Sequence, residues 1–140
     1  MADARFSWGS LGLAWLVAFV ALLLLDGVWL GWLARGFYKR EIGGLMAESV
    51  RLVPAALFYL FYPLGLVALA LTPTPSGAVE ALVRGAVLGL VAYGTYDLSN
   101  LSTLRGWSVA MTAVDIAWGT FASAAAGTLA WALALRGASA

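Results

Sequence analysis

Four long apolar runs, separated by short connections, leave this chain few ways to fold. From Leu11 to Leu33 the only charge is Asp26; from Leu52 to Leu71 there is none; from Trp107 to Leu135 there is only Asp115. The fourth run, Ala78 to Leu101, carries Glu80 and Arg84 in its first turns and Asp97 near its end. About twenty apolar residues cross ~30 Å of hydrocarbon as a helix, at 1.5 Å per residue. The composition agrees: 63% of the 140 residues are hydrophobic and 11% charged, where soluble domains are nearer a quarter charged. The expected fold is therefore all-α, a four-transmembrane-helix bundle forming one four-span membrane domain over residues 1–140. Its spans are expected at about 11–33, 52–71, 78–101 and 107–135. Met1 to Ser10 lacks the pattern of a cleaved signal peptide, because the apolar run after it is too long.

The first connection, Ala34 to Arg51, holds most of the charge. Phe37, Ile42, Leu45 and Met46 recur at helical spacing, which suits a short helix on the membrane surface. Gly43-Gly44 weakens that helix, and an ordinary charged loop is the other reading. Pro63 should bend the second span and free a carbonyl. Glu80 and Arg84, spaced i, i+4, suit a surface ion pair.

Net charge is +1 and the basic residues are not clustered, so no nucleic-acid partner is expected. Cysteine and histidine are both absent, which excludes disulfides, thiolate chemistry, histidine-ligated metals and Ser-His or Cys-His pairs. No metal site or cofactor is expected. No phosphate-cradling loop, nucleophile elbow or paired aspartates for a magnesium-bound diphosphate occurs.

What remains for chemistry is concentrated in Tyr93 to Arg105, a dense run of hydrogen-bonding side chains in an apolar background. Tyr93, Asp97 and Asn100 fall at i, i+4 and i+7 and share one helix face. Tyr96, Thr103 and Arg105 belong to the same run. Ionisable groups at membrane depth are costly without partners, and mark functional sites by default. Counted from the charged first and third connections, Asp26, Asp97 and Asp115 each lie ~12 Å into the membrane from one face. Tyr59 on the second span lies as deep. Three spans thus deliver an aspartate to one layer and the fourth a tyrosine. Three ionised carboxylates there would repel, so at least one should stay protonated unless a cation or arginine joins them.

Asp26-Gly27-Val28-Trp29 and Asp115-Ile116-Ala117-Trp118 both read Asp-x-x-Trp, which places each indole beside its own aspartate on a helix. Trp29 and Trp118 are expected to wall a pocket, bracketing a flat or cationic ligand from above and below. Gly85, Gly89, Gly119, Ser123 and Gly127 are small residues four apart, suited to close helix contact.

Two accounts of the polar layer stand side by side. In one the groups bond one another and staple the bundle, at ~0.6–2 kcal/mol each. In the other they bind a proton, a cation, a small polar ligand or a lipid headgroup. The leading expectation is a small binding or transport protein, with transport calling for a homodimer because four short spans leave little room for a conduit. An enzyme or accessory subunit acting on membrane lipids is the second, with an aspartate as acid or base and Tyr96 or Arg105 orienting the substrate. A structural subunit of a larger complex is the third.

The charge bias between connections, Arg35, Lys39, Arg40, Arg51 and Arg105 against Arg5, Arg84 and Arg136, places the first and third connections in the cytoplasm and both termini outside. Asp26 to Gly31, Pro54 to Tyr59, Tyr96 to Trp107 and Val114 to Thr120 together resemble a bacterial four-span membrane family catalogued as domain of unknown function 2177. The resemblance covers nearly the whole chain, and the run Tyr-Asp-Leu-Ser-Asn-Leu-Ser-Thr-Leu-Arg-Gly-Trp is its most specific part. It implies a bacterial inner-membrane location. Members look to be encoded beside fatty-acid cyclopropanation genes, which implies a link to lipid metabolism or envelope stress.

Overall fold

The computed structural model describes residues 7–138, and among these every regular element is a helix. Helix α1, Trp8–Val28, starts at Ser7, whose Oγ accepts a hydrogen bond from the Ser10 N–H. It runs on through a wider π-helical turn, Trp29–Leu33. Next come the short α2, Arg35–Ile42, and then α3, Leu52–Ala70, α4, Ala78–Thr103, and α5, Val109–Ala130, which also ends in a π-helical turn, Trp131–Leu135. Four stretches are long and apolar enough to cross a membrane: Trp8–Leu33, Leu52–Ala70, Ala78–Thr103 and Val109–Leu135.

The helix starts follow local chemistry. Ser108 caps α5 by accepting from the Met111 N–H. Glu80 in the first turn of α4 accepts from both the N–H and the hydroxyl of Ser76, and it pairs with Arg84 as the i, i+4 spacing anticipates. Gly106, between α4 and α5, has φ +83°, a conformation that favours glycine. Helix α3 runs continuously through Pro63, and the Leu60 carbonyl one turn back accepts from the Trp15 indole of α1 at 3.0 Å. The first connection combines both sequence readings. Arg35 to Ile42 is helical, with Tyr38 buried, but the helix stops at the glycines, so Leu45 and Met46 lie half-exposed beyond it.

Helix α5 is the axis of the bundle. Its inward residues are small (Gly119, Ala122, Ser123, Ala126, Gly127, Ala130), and α1, α3 and α4 all pack against it. The contact with α4 is the most extensive and the closest. A Cβ at Gly85 would stand 2.7 Å from the Ser123 carbonyl oxygen, and one at Gly89 would collide with the Gly119 carbonyl and Ser123. Without lipid-excluding hydrophobic force between helices, such backbone approach supplies the dispersion contact that holds spans together. Packed against α5 from the other side are Ala14, Ala18 and Leu22 of α1 and Leu66, Val67 and Ala70 of α3.

The first and third connections share one end of the bundle, where the Ser108 hydroxyl donates to Glu41 of α2. At the opposite end the Trp131 indole donates to the Pro75 carbonyl at 2.9 Å. Arg5, counted with that end in the charge bias, lies outside the described residues.

Gly89→Ala should cost about 1–3 kcal/mol through overpacking, whereas Gly12→Ala, where an added Cβ meets nothing within 4 Å, should be near neutral. Reversible unfolding of the purified protein in bicelles measures both.

Candidate functional site

Helices α1 and α5 run antiparallel, and that direction pairs their two Asp-x-x-Trp segments crosswise. Asp26 stands opposite Trp118, and Trp29 opposite Asp115. The Trp118 indole donates to Asp26 Oδ1 at 2.8 Å, while Tyr59 from α3 donates to Asp26 Oδ2 at 2.9 Å. Each oxygen of this buried carboxyl thus has a donor from a different helix. On the other side Tyr38 fills the gap. Its hydroxyl donates to Asp115 Oδ1 and accepts from the Trp29 indole at 3.1 Å. Burial, and then the bond to Asp115, push the Tyr38 phenol above its usual range, so it serves as a donor.

The two indoles lie face to face with centroids 4.4 Å apart and planes 4° apart. That is direct contact, so the expected bracketing of a ligand between Trp29 and Trp118 is corrected: the rings fill the space themselves. The reason is the crossed pairing. Each indole reaches toward the other helix's aspartate, which brings both rings to the middle.

The register of α4 on α5 places the third acid. Gly85 faces Ser123, Gly89 faces Gly119, and the Tyr93 ring covers Gly119; one turn further along, Asp97 meets Asp115. Asp26, Asp97 and Asp115 are 4%, 0% and 8% exposed. Neither oxygen of Asp97 accepts a bond from any donor among the described residues. What they face is the Asp115 carboxyl, close enough that a proton on either acid would bridge the two. The other buried unpartnered group among the described residues is the Trp107 indole N–H. It lies in the cluster formed by Ala34, Tyr38 and Met111.

The layer extends one step deeper. Tyr62 of α3 shares a 2.6 Å hydrogen bond with Ser123 of α5, and the Tyr93 ring meets Tyr62 edge-on at 6.1 Å. Beyond Ser123 toward the far face, the buried side chains among the described residues are apolar.

Of the residues singled out in the sequence, Asp26, Trp29, Tyr59, Tyr93, Asp97, Asp115 and Trp118 come together. The rest of the polar run does not join them. Tyr96 is 55% exposed and edge-on to Trp107. Asn100 is half-buried, its carbonyl accepting from the Leu104 N–H. Thr103 is exposed and bonds back to the Ser99 carbonyl, and Arg105 is exposed beyond the helix end. A helix has one face toward α5, and that face takes Tyr93 and Asp97. Tyr38, Tyr62 and Ser123 were not singled out as site residues. Tyr38 sits in a charged connection between Phe37 and Lys39, where nothing local marks it as inward-facing; Ser123 has the spacing of a packing residue. One cue pointed to Tyr62, a hydroxyl bearer on an otherwise apolar stretch.

A family model described as predicted membrane protein (DUF2177) matches residues 11–132, nearly the whole chain. No curated protein and no solved structure matches it.

Tyr59→Phe removes one donor from Asp26 while keeping ring volume, and should lower the unfolding free energy in bicelles by about 0.6–1.7 kcal/mol. Trp118→Phe removes the other donor and also shrinks the ring stacked on Trp29, so it should cost more. Trp29→Phe should abolish the exciton couplet that two stacked indoles give in circular dichroism.

Proposed function

The chain belongs to the DUF2177 family of predicted membrane proteins, and from the arrangement of its acid layer we propose that it is a proton-binding membrane protein. The bound proton sits between Asp97 and Asp115. One observation carries this reading: the carboxyl of Asp97 is wholly buried, accepts no bond from any donor, and faces another carboxyl. Two ionised carboxylates so placed would repel in a medium of low dielectric. A single proton between them turns the repulsion into a hydrogen bond.

The chemistry of the surroundings favours a proton over other ligands. An anionic headgroup needs basic partners. Yet among the described residues the one ion pair is Arg84–Glu80, at the far end of the bundle, and Arg105 is exposed. A metal ion needs three or more converging ligands, and no such group of acidic side chains forms among the described residues. Asp26 already has a donor on each oxygen, so it acts as an anchor between α1, α3 and α5. The lipid-modifying reading has less support, because Tyr96 and Arg105, which would orient a substrate, are exposed rather than packed against the acids.

The charge bias supports a cytoplasmic-membrane location with the acid pair nearer the cytoplasmic face. The polar file stops at Ser123, so passage of protons across the membrane would call for a second copy of the chain or a further partner.

In lipid nanodiscs, infrared spectroscopy should show a protonated-carboxyl C=O band at neutral pH. Asp97→Asn and Asp115→Asn should each remove or shift it, and Asp26→Asn should leave it in place. A spectrum without such a band would sink the proposal.

A further inference from the structure

The acid pair has a sealed side and a covered side. Toward the far face, Ser123 is the last buried polar side chain among the described residues, and Leu22, Leu66, Ala122, Ala126 and Leu135 close the interior completely. Toward the near face the cover is α2, which packs against Trp107 from the third connection. Helix α2 is tied down by few polar bonds: Tyr38 to Asp115, Trp29 to Tyr38, and Ser108 to Glu41. Its two ends depart from regular helix. It follows the π-helical turn Trp29–Leu33, a departure from α-geometry that often marks functional sites. It is followed by Gly43-Gly44, where a Cβ added at Gly44 would meet nothing within 4 Å.

Under this cover lie the buried polar groups that lack partners, the two oxygens of Asp97 and the Trp107 indole N–H. Unmet buried groups are expensive, and water admitted beneath α2 would satisfy both kinds, accepting from the indole and donating to the carboxyl. We propose that α2 is a lid over the Asp97–Asp115 pair, and that water admitted by its lifting exchanges the bound proton with the near face alone. Tyr38 is the latch, since its hydroxyl is the one group that joins α2 directly to the acids. This inference rests on the proton-binding reading and adds the route and its control.

The titratable groups facing the pair come from every neighbouring helix: Asp26 on α1, Tyr38 on α2 and Tyr93 on α4, with Tyr59 of α3 reaching it through Asp26 and Tyr96 exposed at its edge. The one other carboxyl among them, Asp26, already has a donor on each oxygen, so the lid rather than a resident proton acceptor limits exchange.

The chain has no cysteine, which permits a clean test. Glu41→Cys with Ser108→Cys, joined by a short thiol-cleavable bridge, pins α2 to the start of α5. In nanodiscs moved into D2O, the deuterium shift of the Asp97-dependent C=O band should slow at least tenfold in the bridged protein and recover on reduction. Glu41→Ala and Tyr38→Phe, which each remove a tie, should speed it roughly tenfold, the effect of losing about one hydrogen bond. Glu41→Ala keeps the test sound if the Tyr38 variant fails to fold. An exchange rate indifferent to the bridge would overturn the lid while leaving the bound proton standing. If no band depends on Asp97, the proton reading fails and the lid with it.

Discussion

The near-contact of α4 and α5 is the constraint on which the rest of this molecule depends. Gly85 and Gly89 admit the backbone of α5 where any side chain would collide with Ser123 or Gly119. In a membrane, where apolar side chains gain little by leaving lipid for protein, close backbone packing is a main source of helix association. It also sets a register to within a residue, because sliding one helix along the other would drive Cβ atoms into carbonyls. Asp97 and Asp115 meet because that register has no freedom. A pair of acids on loosely packed helices would part, each finding water or a neighbouring hydroxyl.

Around that pair the polar bonds run between helices. Asp26 takes one donor from α5 and one from α3, and Asp115 takes its donor from α2. Each carboxyl is therefore a junction, and the stacked indoles of Trp29 and Trp118 fill the space between two of them. The account in which these groups staple the bundle describes Asp26 well, since both its oxygens are satisfied. It leaves Asp97 unexplained, because a staple with no donor holds nothing and costs the burial of a polar group. The contrast between these two aspartates separates the structural part of the layer from the part that carries chemistry.

Helix α2 shows how a charged connection becomes part of a membrane site. Arg35, Lys39 and Arg40 keep it at the surface, while Tyr38 turns inward and Phe37 and Ile42 pack beside it. The segment thus has one face for water and headgroups and one buried phenol, the arrangement of an interfacial helix with a single inward reach. Its ends, a widened turn and a glycine pair, make it the part of the near face held by the fewest constraints.

Much of this was legible in the residues alone. Length and apolarity determine four spans, because a backbone in hydrocarbon must satisfy its own hydrogen bonds within a helix. Depth counted along those helices puts three aspartates and Tyr59 in one layer, because the rise per residue is constant. Small residues four apart mark the tight interface on similar grounds. What rotation about each helix axis does was beyond reach, since lateral packing sets it. Tertiary structure alone decided that the two Asp-x-x-Trp segments serve each other crosswise rather than bracket a ligand, and that Tyr96, Thr103 and Arg105 turn away. It alone folded Tyr38 back from a charged connection onto Asp115. Above all, it left Asp97 without a donor among the described residues, because a carboxyl's partners come from other helices and the register that brings them is set by glycines about two and three turns away.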